Sequence, residues 1–125
     1  MSHFSAIRVQ IKNGDVLKEA LQALGYRVQQ AAEVRGYRGE KTFADYVIQR
    51  SNGYDVGFRK GTDDNYEIIS DFSMARINQQ TFVSEIKQKY AHKMLLHTVA
   101  EQGYDVEAEE VMEDGTVRVV VGRWV

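Results

Sequence analysis

Between Glu33 and Lys60 the chain reads EVRGYRGEKTFADYVIQRSNGYDVGFRK, the one stretch in which glycines, cations and aromatics stand close together. Arg35-Gly36-Tyr37-Arg38-Gly39 sets two guanidinium forks and a phenol among glycines. Such a loop can wrap a phosphate or carboxylate with side-chain and backbone donors at once, and a tyrosine ring offers a stacking face to a base or an arginine. Arg35, Tyr37, Arg38 and Lys41, with Arg59 on a following strand, make the candidate binding set. A glycine-rich crossover that carries arginine for solubility needs no ligand, so the residues alone leave both readings open.

Acid/base chemistry has one candidate. Asp45, Asp55 and Asp71 fall on successive expected strands and can converge across one sheet face as a carboxylate cluster. The plainer alternative pairs each of them with Arg59, Arg50 or a hydroxyl on the neighbouring strand. His92 and His97 are five residues apart, about 140° around a helix, so they cannot chelate one ion as an i, i+4 pair does. They are expected to be solvated or edge-packed, and His3 lies near a terminus. Glu107 to Asp114 lacks the glycine-centred pattern of a calcium loop and reads as a solvated face, one that also keeps an edge strand from aggregating. No nucleophile has a base beside it, and neither metal-ligand spacing nor a phosphate-cradling fingerprint occurs. No metal, cofactor or catalytic residue is therefore expected.

A chain of 125 residues, 43% of them hydrophobic, has the size and apolar content of one domain spanning residues 1–125. Zero cysteines exclude a disulfide framework and a thiolate metal site. No apolar run approaches the roughly 18 residues of a membrane span, and no signal peptide is recognisable. A soluble, cytoplasmic protein is expected. The net charge of -2 argues against non-specific binding of duplex DNA. Its distribution is uneven. Arg35 to Lys60 holds six cations against three acids, whereas Glu101 to Asp114 holds seven acids and no lysine or arginine.

These residues need a scaffold, and hydropathy patterning supplies one. Ile7, Val9 and Ile11 alternate with polar residues as in a half-buried strand. Asp15 is the expected cap of a short helix with Leu17, Ala20, Leu21 and Leu24 on one side, stopped by Gly25. Tyr26 to Val34 resumes strand phase, and Thr42 to Gln49 is apolar in both phases, as a central strand is. Asn52-Gly53 predicts a type I′ hairpin turn, and Gly61 to Asn65 a second turn, completing a meander. Asn78, with Ile77 and Phe82 at staple spacing, starts a long helix that Gly103 stops. A last hairpin turns at Asp114-Gly115. The expectation is an α+β fold with an antiparallel sheet of about six to seven strands and two helices on one face, in the order β-α-β-β-β-β-α-β-β.

Three segments carry a resemblance: Val34-Arg35-Gly36-Tyr37-Arg38-Gly39, Ala44-Asp45-Tyr46-Val47-Ile48, and Asn52-Gly53-Tyr54-Asp55-Val56-Gly57-Phe58-Arg59. With the opening Met1-Ser2-His3-Phe4-Ser5 and the stretch from Glu109 to Trp124, they are similar to the family known as plastid conserved hypothetical reading frame thirty-five. The resemblance implies a cyanobacterial cytoplasm or a plastid stroma and gives no activity. Where an aspartate followed by a tryptophan pair is expected of the family, this chain has Ser70-Asp71-Phe72-Ser73. The function expected is a non-catalytic binding module that engages an anionic partner, an acidic protein surface or single-stranded nucleic acid, through the basic loop. The alternatives are a small enzyme using the carboxylates and a structural subunit of an oligomer.

Overall fold

The computed structural model describes residues 4–123, so His3 and Trp124 lie outside the described residues. Seven strands and three helices follow in the order β1 (Ser5–Arg8), α1 (Gly14–Ala23), β2 (Val28–Arg35), β3 (Lys41–Ile48), β4 (Val56–Lys60), β5 (Tyr66–Ser70), α2 (Phe72–Ala75), α3 (Gln79–Glu101), β6 (Tyr104–Val111) and β7 (Val117–Arg123). The fold is α+β, and every strand pairing is antiparallel. The seven strands divide between two sheets, one of five strands in the order β1-β5-β4-β3-β2 and a separate hairpin of β6 and β7. Val117 and Val119 have the alternation of a strand, but alternation does not say which sheet a strand joins.

The two long helices cover one face of the large sheet. Leu17 and Leu21 of α1 and Phe82 and Ile86 of α3 pack on Tyr46, Ile48, Val56, Phe58, Tyr66 and Ile68 in the main core. Residue spacing dictates this. Leu17 and Leu21 are one helical turn apart, Phe82 and Ile86 likewise, and the strand residues alternate. Asn13, rather than Asp15, caps α1: its Oδ1 accepts from Val16 N at 3.1 Å, which leaves Asp15 in the first turn. Asn78 caps α3 as its position predicts, accepting from Thr81 N at 3.0 Å, with Ile77 against the core beside Phe82. The 23 residues of α3 make a rod of about 35 Å. Its C-terminal half carries less of the core than the apolar stripe predicts, for Leu95 is exposed.

The Asn52-Gly53 turn is a correction. Gly53 has φ +81° and its N–H donates to Arg50 O, but Asn52 is not in the left-handed region, so the turn is not type I′. Asn52 instead uses its side chain: Oδ1 accepts from Tyr54 N at 3.0 Å and Nδ2 donates to Ala75 O at 3.3 Å. α2, a single turn capped by Asp71, was not legible as a helix because four residues carry no period.

Candidate functional site: the curled β2–β3 ribbon

The β2–β3 ribbon does not lie flat in the sheet. Its ladder skips Ala31 and Asp45, and Ala31 has φ +51°, a conformation that turns a strand aside. Beyond that point Val34 and Ala44 come down on Gly57, where a side chain in place of the glycine hydrogen would collide with both. Val34, Ala44 and Val47 form a second, smaller core with Phe4 and Ala32. Val47 alternates with Tyr46 and Ile48, so this cluster lies on the face opposite the helices.

Two aspartates fasten the curl to the two ends of β4. At the bend, Asp45 Oδ2 accepts from Lys60 N at 2.8 Å. At the base of the tip, Asp55 is fully buried and receives a bidentate fork from Arg35: Nε to Oδ2 and Nη2 to Oδ1, both 2.8 Å. Backbone N–H groups complete its shell, Arg35 N at 3.0 Å and Arg50 N at 2.9 Å, and Asp55 N in turn donates to Arg35 O at 3.1 Å. Arg35 Nη2 also donates to Arg50 O at 2.9 Å. Burial pushes the Asp55 carboxyl up, but the Arg35 fork and the Arg50 and Arg35 amides outweigh it and hold the group below the usual aspartate range. The hydrogen bonds to Asp55 raise the Arg35 guanidinium in return.

The tip itself is a short 3₁₀ turn, Tyr37–Gly39, closed by Gly36 N to Glu40 O at 2.8 Å. Gly36 lets the Phe4 ring lie directly against the backbone, since any side chain there would overlap it. Arg38 is exposed and left-handed, φ 54° and ψ 38°, and its guanidinium carbon stands 5.2 Å from the Tyr37 ring centroid. Lys41, opposite Arg35 in the ladder, reaches Glu33 at 3.5 Å across open surface.

Of the expected binding set, the ribbon gathers Arg35, Tyr37, Arg38 and Lys41. Arg59 is not among them. It stands four residues along β4 from Asp55, about 13 Å of strand, and pairs with Glu67 at 3.4 Å. Arg35 is near the tip, yet its fork is spent on Asp55. Asp45, Asp55 and Asp71 are not all brought to one place: Asp45 and Asp55 serve opposite ends of β4, whereas Asp71, which the β4–β5 register extended by two residues sets opposite Asp55, is buried and caps α2, its Oδ1 accepting from Met74 N at 3.2 Å. Ser70 Oγ donates to the backbone carbonyl of Asp55 at 2.8 Å, so it is not the hydroxyl partner of a carboxylate that the plainer reading allows; the carboxylate is held by Arg35 and by the Arg50 amide. Arg50 and Asn52, which both bond Ala75 O, tie the β3–β4 loop to α2. No spacing in the sequence announces that link, because Ala75 is at least 23 residues away. His92 and His97 find carboxylates on other elements, Glu109 at 3.3 Å and Glu19 at 2.8 Å. Among the described residues no group of three or more His, Asp or Glu can hold a metal ion, and no helix is long and apolar enough to cross a membrane.

An α+β chain of this build, with a basic ribbon tip fastened over one face of its sheet, matches over residues 20–120 the family described as Protein of unknown function (DUF1257). The chain belongs to that family. It is 32% identical over 127 residues to a protein of Cyanophora paradoxa titled Uncharacterized protein ycf35, covering 99% of this chain and 98% of that one. A protein of Guillardia theta with the same title is 32% identical over 128 residues, and one of Pyropia yezoensis 26% identical over 127, with the same coverage. No solved structure matches.

Proposed function

We propose that the chain is a non-catalytic binding module whose curled β2–β3 ribbon presents Arg38 and Lys41, with the Tyr37 ring, to an anionic partner. One observation carries the reading: an exposed arginine in a left-handed conformation stands at the tip of a ribbon whose base is locked to a buried carboxylate. Holding Arg38 in that conformation costs backbone energy, of the order of 1 kcal/mol or more for a residue other than glycine. Arg35 is then the residue that positions the tip, and Arg38 and Lys41 are the residues that touch. The cyanobacterial cytoplasm or the plastid stroma is the location that goes with this reading.

Two partner classes share the chemistry, single-stranded nucleic acid and an acidic protein surface. Fluorescence anisotropy with a labelled single-stranded oligonucleotide and with a labelled acidic peptide, each at low and high salt, separates them. Binding to one probe that weakens with salt and is lost in Arg38→Ala/Lys41→Ala is the expected result. Binding unchanged in the double variant, or no binding to either probe at low salt, overturns the proposal.

A further inference from the structure

We infer that two copies of this chain pair through β7, edge to edge and antiparallel, to join their hairpins into one four-stranded sheet. The inference is independent of the basic ribbon and starts from the free sheet edges. Among the described residues the two sheets have four outermost strands: β1, β2, β6 and β7. Exposed edges invite pairing with another chain, and proteins blunt them with short strands, irregular backbone or charge.

Three of the four are blunted. β1 has only four residues. β2 is interrupted by Ala31 in the left-handed region. β6 carries Asp105, Glu107, Glu109 and Glu110 and has a register shift between Val106 and Ala108. β7 is the least protected, its charges being Arg118 and Arg123 near its two ends. It runs Val117-Arg118-Val119-Val120-Val121-Gly122-Arg123 without proline or an internal register break of its own and without acidic residues. The hairpin leans on α3 through β6, and Val120 and Val121 are exposed at 42% and 37%. A lone two-stranded ribbon is also marginal by itself, so a further pair of strands gives it the support that the large sheet does not.

Hydrogen-bond parity fixes a register. Met112 N donates to Thr116 O at 2.7 Å, so alternation along β7 turns the Thr116 carbonyl and the backbone groups of Arg118 and Val120 toward β6 and those of Val117, Val119 and Val121 outward. A two-fold axis at Val120 sets Val119 opposite Val121 of the second copy, with both exchanging outward N–H and C=O groups. Val120 then meets its own counterpart at a non-hydrogen-bonded position, where side chains approach closely. Arg118 falls opposite Gly122, so like charges do not meet. The outer edges of the joined sheet are the two acidic β6 strands, which repel further addition and close the assembly at two copies.

The chain contains no cysteine, so one introduced thiol reports one contact. Mass is measured by light scattering across a concentration series, and Val120→Cys is oxidised mildly beside Glu110→Cys, an exposed position of β6 opposite Arg118. The expected result is a dimer mass for the parent chain, a monomer for Val120→Lys with unchanged circular dichroism, and a disulfide-linked dimer from Val120→Cys but not from Glu110→Cys. A parent chain that stays monomeric at every concentration overturns the inference. So does a dimer that Val120→Lys leaves intact, or cross-linking as efficient through β6 as through β7.

Discussion

Asp55 receives both the side-chain fork and the backbone N–H of Arg35, a residue twenty positions earlier in the chain, and this pairing fixes where the basic ribbon tip stands. Removing Arg35 leaves a fully buried carboxylate with only backbone partners. Loss of one member of a buried pair typically costs roughly 3–5 kcal/mol. The Arg35 side chain is 44% exposed and two amides remain on Asp55, so Arg35→Ala should cost about 2–3 kcal/mol. Urea unfolding checks this. A cost under about 0.5 kcal/mol, the range of ordinary surface substitutions, would show that the clasp does not hold the ribbon.

The contact residues should behave in the opposite way. Arg38→Ala/Lys41→Ala removes an exposed arginine and one member of an exposed ion pair, worth about 0–1 kcal/mol at most. The melting temperature should stay near that of the parent, and affinity for the anionic probe should fall. A large loss of stability would return Arg38 to the scaffold.

The main secondary elements were legible because their signals are local. Leu17, Ala20 and Leu21 recur at helical spacing, Asn78 announces α3, and Gly25 and Gly103 end the two long helices. The curl of the ribbon was not legible, since it depends on Val34 meeting Gly57 and on Ala31 adopting a left-handed backbone, neither of which leaves a periodic trace. The candidate site was half legible. The composition of Arg35 to Lys41 marks a basic loop, but Arg35 and Arg38 look alike in the sequence and separate only when Asp55 is seen beneath one of them. Arg59, grouped with them by charge, is separated by the length of β4.

Gly57 offers a direct test of the curl. Gly57→Ala drives a methyl group into Val34 and Ala44. Overpacking of this kind costs about 1–3 kcal/mol, and thermal melting measures it. Gly53→Ala meets no neighbouring atoms, so only its positive φ is penalised, by about 1 kcal/mol. Equal melting temperatures for Gly57→Ala and the parent chain would contradict the close approach of the ribbon to β4.

Acid should loosen the clasp. The folded Asp55 pKa lies below its unfolded value, so its stabilisation is fully present above the ordinary aspartate value of about 3.9 and is lost as pH falls toward the lower folded value. Asp63 and Asp114 are also lowered, by their own hydrogen bonds, so the parent alone does not isolate the effect. Stability measured against pH for the parent and for Asp55→Asn does. The variant should be less stable near neutrality and lose less stability on acidification below about pH 4. Parallel curves would show that Asp55 contributes nothing to the acid limb.

The surface that meets the partner can be mapped without any substitution. Amide chemical shifts of the labelled parent chain are followed during titration with the anionic probe that binds, at low salt. Shift changes centred on Gly36 to Lys41, with little movement in β6 and β7, are the result predicted. Changes centred on any other surface, with the ribbon tip unmoved, would contradict it.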